Sequence, residues 1–424
     1  MTSLTRRVAL TLPAAAVLAA PAIPRAQGAT EITVHYCQPF IFQASYDAIT
    51  AAFARVEPSI RINYVTSPNY PEGAQFLLRQ ASINQPPDLS YQGMNFVRVF
   101  ADRRIATDLV PFLLRGGTPA SQGYSDRLLS LGRFAGFQAA LPYAASTAIT
   151  FLNADLVRRA GFDPDALPED WDGHIRMAAA LRERTGGIDG MFFAWSEWMF
   201  QTLLLQHHGR VMTDDESDIA FDRAEGLATL RYHERFVAET AMPALNSPAA
   251  SQAFSAGRLG AFYWTTAVVR NMILSVGRNF ELRTATLPIV PDIADGSLAT
   301  GGAAGLLTAR DPAKREAAWK FLRFSTSPEG TTLMVQNSGY VPMNQIAIDD
   351  PRWLAEFYRD NPLFRAATEQ AHKMAPWFAF PGPNAVRITQ AITNNIARVI
   401  ERQATPEVAL RDMAAEVRRL LPRS

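Results

Sequence analysis

Residues 300–344 read TGGAAGLLTARDPAKREAAWKFLRFSTSPEGTTLMVQNSGYVPMN. The order is a glycine-rich strand end, two capped helices and a Gly-Tyr-x-Pro turn. Asp311 offers an N-cap acceptor, and Pro312 suits the first helical position, where no backbone N–H is needed. Ser327 and Pro328 repeat the device one helix later. Ala317 and Phe321, like Ala318 and Leu322, stand four apart and so share one buried stripe. Gly339 predicts a left-handed end to the second helix, after which Tyr340 and Val341 must run extended into Pro342. No reactive side chain dominates the stretch.

Outward from here, strands and helices alternate. Residues 31–36 alternate in polarity and are β-branched, the pattern of a strand. Residues 42–56 follow at helical period with Tyr46, Ile49 and Phe53 on one face, and Pro58 ends that helix before a strand over 60–65. Strand, helix and strand make a βαβ unit, which implies a parallel sheet. A helix over 71–84 and a strand over 87–91 extend the doubly wound order. Residues 141–153 read as an extended run leaving this domain for a second one. Asn153 caps a helix ending at Gly161, and a further helix starts around Trp171 and runs to Arg184. Residues 212–221 suggest two short strands about an acidic turn, and 222–239 a long amphipathic helix. Residues 281–288 are extended and lead back to the first domain, which 300–324 complete.

The N-terminus has the order of an export signal: Arg6 and Arg7, an apolar run, then small residues near Ala26, Gly28 and Ala29. Residues 5–10 also resemble a twin-arginine signal, with Ala9 in place of the usual large apolar residue. Pro13 and Pro21 break the run, which argues against a permanent anchor. The expected signal spans 1–28, the expected location is the periplasm, and the remaining chain suits two domains. Forty-one basic and 40 acidic residues give a net charge of +1, which argues against nucleic acid as a partner. Cys37 is the only cysteine, so no disulfide within the chain and no thiolate cluster is available. His207, His208, His233 and Glu234 lack the i, i+4 histidine spacing of a helical zinc site, and no nucleotide fingerprint occurs. No metal or cofactor is expected.

Several segments together resemble the family-1 extracellular solute-binding proteins along essentially the whole mature chain. They are Arg55-Val-Glu-Pro58, the run from Asn153 to Gly161 followed by Pro168 to Trp171, Phe254 to Phe262, and the stretch quoted first. Within that family the likeness is to glycerol-3-phosphate-binding and maltose-type proteins. The resemblance implies an α/β fold of two lobes (type II, Venus-flytrap). Each lobe would be a mainly parallel sheet flanked by helices, and hinge strands would join them. The expected lobes are 29–145 with 286–326, and 146–285 with 327–424. The implied role is the substrate-binding component of an ABC importer. It would act as a monomer that binds a small solute (a sugar, polyol or glycerophosphodiester) in the cleft and delivers it to permease subunits in the inner membrane.

The resemblance also places site residues. Aromatic rings cover the apolar faces of sugars and polyols, and hydrogen-bonding groups read the hydroxyls. Tyr70 matches a ligand-contacting tyrosine, and Trp195 and Trp198 fall in a ligand-stacking region. Trp264 lies beside Thr265, where small hydroxyl residues are presented. Ser146 matches a hydroxyl on the first crossing strand, and Tyr340 a tyrosine on the second-lobe wall. Gly301 and Gly302 would let backbone N–H groups approach the ligand. Two departures bear on the solute. The glutamate that the subgroup places after its third strand is replaced around Gln92 and Asn95, which read hydroxyls without charge. The phosphate-binding arginine is absent from residues 380–384, and Arg387 stands about one turn further on. A buried phosphate without a fork-like donor is poorly compensated. Two rival readings share the fold: an exported carbohydrate-active enzyme, which needs paired carboxylates, and a ligand-sensing partner of a membrane receptor.

Overall fold

A computed structural model describes residues 29–422; the expected export signal lies outside the described residues. Strand β1 (Thr30–Cys37) leads into helix α1 (Pro39–Val56), and β2 (Ile60–Ser67) returns parallel to β1 with Thr30 opposite Ile60. Helix α2 (Tyr70–Ser82) and β3 (Leu89–Gly93) repeat the unit on the other side of β1. After a region of short helices, β4 (Leu141–Ser146) and β5 (Ala148–Asn153) follow with only Thr147 between them. Helices α3 (Ala154–Arg159) and α4 (Trp171–Arg184), strand β6 (Asp189–Phe193) and helices α5 (Glu197–Gln206) and α6 (Ala224–Thr240) build the second lobe. It continues through β7 (Leu259–Thr265) and β8 (Leu282–Ala285). Strand β9 (Leu298–Leu307) re-enters the first sheet, followed by α7 (Pro312–Ser325) and α8 (Pro328–Asn337). The short strand β10 (Met374–Pro376) and helices α9 (Ala385–Ile400) and α10 (Pro406–Leu420) close the chain.

The first sheet runs β10-β9-β3-β1-β2, with β4 on the other edge of β9. Its β2-β1-β3 core is parallel, as the βαβ pattern requires. The second sheet runs β8-β5-β7-β6, and only β6 and β7 are parallel. The expectation of mainly parallel sheets therefore fails in the second lobe. There β5 enters from, and β8 leaves toward, the other lobe, so they follow crossings rather than right-handed βαβ returns.

The caps read from sequence form. Asp311 Oδ1 accepts from Lys314 N at 2.9 Å, and Ser327 Oγ from Gly330 N at 3.2 Å. Ala317, Ala318, Phe321 and Leu322 are all buried. Two expectations for this stretch change. Gly339 is not a left-handed cap; its Cα lies so near the second lobe that a Cβ would stand 2.2 Å from Thr266 O. Residues 327–337, expected in the second lobe, form α8, which packs on α1 of the first. The cause is local: only Thr326 and Ser327 separate α7 from α8, a link too short to leave the lobe.

The crossings are tied together. Gln370, buried, donates from Nε2 to Thr147 Oγ1 and Ala148 O, both at 2.6 Å, and accepts from Leu287 N at 2.9 Å. One amide thus joins the β4–β5 crossing to the segment returning from β8. No helix among the described residues is long and apolar enough to cross a membrane.

Candidate ligand-binding cleft

A cavity of about 430 Å³ opens between the lobes and is lined from both. On the first lobe, Asn69 caps α2 by accepting from Glu72 N at 2.9 Å, which fixes Tyr70 as the first helical residue. The buried Tyr70 hydroxyl lies 3.4 Å from that of Tyr340, whose ring stacks on Phe42 at 4.9 Å and 11°. Tyr340 therefore belongs to the first-lobe wall, not the second as expected, because α8 stays on α1 and carries it there. Asn95 and Phe96, in the turn after β3, complete this wall.

The second-lobe wall comes from three places. Strand β7 ends in Trp264 and Thr265; the Trp264 ring stacks at 6.3 Å and 12° on Phe40 of α1. Ser196 caps α5 by accepting from Met199 N at 3.3 Å, placing Glu197 and Trp198 in its first turn. Trp198 Nε1 donates to Ala299 O at 3.1 Å, which pins the indole against the hinge end of β9. Trp377, just past β10, lies between the lobes, with ring centroids 6.3 Å from Trp198 and 6.2 Å from Tyr70.

Ser146, Gly301 and Gly302 make the floor. On the edge away from β4, β9 pairs with β3 only from Ala303 onward. Gly301 and Gly302 have no strand on that edge. Glycine is required by crowding: a Cβ on Gly301 would stand 2.7 Å from Ser146 Oγ and 2.9 Å from the Trp198 ring. At Gly302 φ is +130° and a Cβ would meet Ala144 O at 1.9 Å.

Glu197 is the most unusual group on the wall. It is 1% exposed, and its carboxyl accepts from Trp377 Nε1 at 3.1 Å and from Gln201 Nε2. Burial raises its pKa from 4.5 to about 8, and the two hydrogen bonds offset only part of that. The lining holds two carboxyls, Glu197 and the exposed Glu72, and no lysine, arginine or histidine.

Of the residues expected at the site, Tyr70, Ser146, Trp198, Trp264, Thr265, Gly301, Gly302 and Tyr340 line the cavity; Gln92, Trp195 and Arg387 do not. Gln92 points to the face of β3 beneath α2, where it donates to Ser90 Oγ at 2.9 Å and Gly73 O at 3.3 Å. Trp195 precedes the α5 cap, so it shares no helical face with Trp198, and its indole donates to Leu245 O at 3.0 Å. Arg387 is exposed on α9, while Thr389, Gln390 and Thr393 of the same helix reach the cavity. Sequence reasoning missed Glu197 and Trp377. An acidic residue in a capped first turn is an ordinary helix-dipole feature, so nothing local marked Glu197.

Two α/β lobes, hinge crossings and an aromatic cleft between them define a two-lobed ligand-binding receptor. The chain belongs to the bacterial extracellular solute-binding protein family, whose model matches residues 48–366. It is 22% identical over 291 residues to the sn-glycerol-3-phosphate-binding periplasmic protein UgpB of Escherichia coli K12, covering 65% of this chain. The chain likewise spans 65% of the length of that curated relative. Its fold is similar to UgpB from Mycobacterium tuberculosis in complex with glycerophosphocholine (TM-score 0.81, 22% identity, 93% of this chain and 98% of that one). It is also similar to maltose-bound MalE3 of T. maritima (TM-score 0.79, 18% identity, 93% of this chain and all of that one, 100%).

Proposed function

We propose that this protein is the substrate-binding component of an ABC importer. It holds a hydroxyl-bearing solute of the sugar or polyol class between its lobes and presents the closed form to permease subunits of the inner membrane. The observation that carries this reading is the cleft wall: Tyr70, Trp198, Trp264, Tyr340 and Trp377 surround a floor of Ser146, Gly301 and Gly302. Rings of this kind cover the C–H faces of a sugar, and the open β9 edge and wall hydroxyls meet its oxygens. Relatives that bind glycerol-3-phosphate, glycerophosphocholine and maltose support the same range. Simple glycerol-3-phosphate fits poorly, because the lining offers a dianion no cation.

Closure is the function. The solute stabilises the closed form by the difference between its contacts with two walls and with one. The reading of an exported carbohydrate-active enzyme is less well supported. The only carboxyls on the lining are Glu72 and Glu197, and Glu72 is exposed and held by Asn69 Nδ2 at 2.8 Å. Mass spectrometry of solute released from the purified protein, with a thermal-shift screen of sugars and polyols, tests the proposal. A hydroxylated solute recovered unchanged supports it. Stabilisation by amino acids or metal ions alone, or chemical conversion of the solute, would overturn it.

A further inference from the structure

Two of the three indoles on the wall are engaged, Trp198 Nε1 with Ala299 O and Trp377 Nε1 with Glu197. Two of its acceptor groups are not saturated. Asn95 Oδ1 is buried with no hydrogen-bond partner. Each Glu197 oxygen receives one hydrogen bond and keeps a free lone pair. A group that meets the Glu197 and Asn95 oxygens must bring donors. A hydroxyl brings acceptor lone pairs along with its one donor, whereas an ammonium brings donors only.

Charge points the same way. Glu197 is enclosed with no lysine, arginine or histidine on the lining, and Arg98, on the helix after β3, is paired with Glu216 at 2.6 Å. Trp377 donates to Glu197, and Trp198, the next residue in the chain, has its ring centroid 6.3 Å from that of Trp377. Indole faces attract cations, most strongly where water is excluded. A buried carboxyl beside two indoles, in a cleft that also holds an unpartnered amide oxygen, offers a seat for a positively charged nitrogen.

The geometry points to an aminated solute: a sugar or polyol whose ammonium group sits against Glu197 and the Trp198–Trp377 pair. This rests on the solute-binding reading above and narrows it. In the empty cleft burial raises the carboxyl's pKa to about 8, so it is mostly protonated at neutral pH. When the ammonium enters, that proton leaves to solvent and the ion pair replaces it, one proton released for each solute bound.

The test is calorimetry on the purified protein with matched probes: glucose, glucosamine and N-acetylglucosamine, then the galactose and mannose sets. The expected result is that at least one free amine binds about tenfold or more tightly than both its hydroxyl and its acetylated partner. Its heat should vary with buffer ionisation in the sense of proton release. Glu197→Gln should abolish the preference, and Glu197→Asp, which keeps the charge, should retain part of it. A hydroxyl or acetylated probe binding as tightly as the amine overturns the inference and leaves the solute-binding reading standing. An amine preference that survives Glu197→Gln also overturns it. Failure of every sugar to bind counts against both.

Discussion

Replacing Glu197 with glutamine should change how stability depends on pH in the ligand-free protein. The carboxyl titrates near its ordinary 4.5 in the unfolded chain and near 8 when folded. Between those values the unfolded state sheds a proton that the folded state keeps. Stability from this group is therefore complete below pH 4.5 and is lost as pH rises toward 8. At about 1.4 kcal/mol for each tenfold, the ceiling is about 5 kcal/mol. For roughly 400 residues at about 2.1 cal/mol/K each, that is about 6 °C in melting temperature. Three buried histidines act on the acid side. His35, His174 and His233 are each lowered to about 4 by burial, so their contribution is lost as pH falls from 6.5 toward 4. Wild type should melt highest near pH 7 and decline on both sides. Glu197→Gln should keep the acid limb and flatten the alkaline one. The assay is thermal melting of both proteins from pH 5 to 9 at fixed ionic strength. A wild-type melting temperature that does not fall from pH 7 to pH 9, or an alkaline limb unchanged in the variant, would refute the reasoning.

Gly301→Ala should weaken solute binding about tenfold or more with little loss of stability, because its Cβ displaces the Trp198 ring and Ser146 Oγ rather than backbone; titration of variant and wild type with the same solute checks this. Gly302→Ala should instead cost stability, since its Cβ meets the Ala144 carbonyl at a positive φ, and a melting temperature equal to wild type would contradict that. Asp311→Ala should destabilise by about 1 kcal/mol in denaturant titration, the usual value of a lost N-cap. Cys37 is 1% exposed and its thiol is pushed up by burial, so it should resist a thiol reagent in the native protein and react fully in denaturant.

What could be read from the sequence was local. Asp311, Ser327 and Asn153 each cap the helix they predict, because a cap is settled within four residues. The parallel start was legible for the same reason: β1, α1 and β2 carry their periods openly. What failed depended on distant partners. The antiparallel character of the second sheet comes from strands that pair across more than a hundred residues, such as Leu282 with Asn153. Tyr340 was assigned to the wrong wall because its lobe is decided by α8 packing on α1, not by its own neighbours. Gln92 was expected in the cleft, but strand alternation turns it beneath α2. Glu197 was hidden by being ordinary in sequence: only the arrival of Trp377, 180 residues later, encloses it.

The amide of Gln370 gives the hinge a mechanical character. Two crossings tied at one buried point cannot slide past each other or bend independently without breaking hydrogen bonds at 2.6 to 2.9 Å. They behave as a single axle. Opening and closing are then confined to rotation about one line, and sideways shear of the lobes is suppressed. With Trp377 standing 6.3 Å from Trp198 and 6.2 Å from Tyr70, centroid to centroid, such a tie would return these rings to one register at each closure and present a solute with a reproducible jaw. Little of its binding energy is then used to align the two walls.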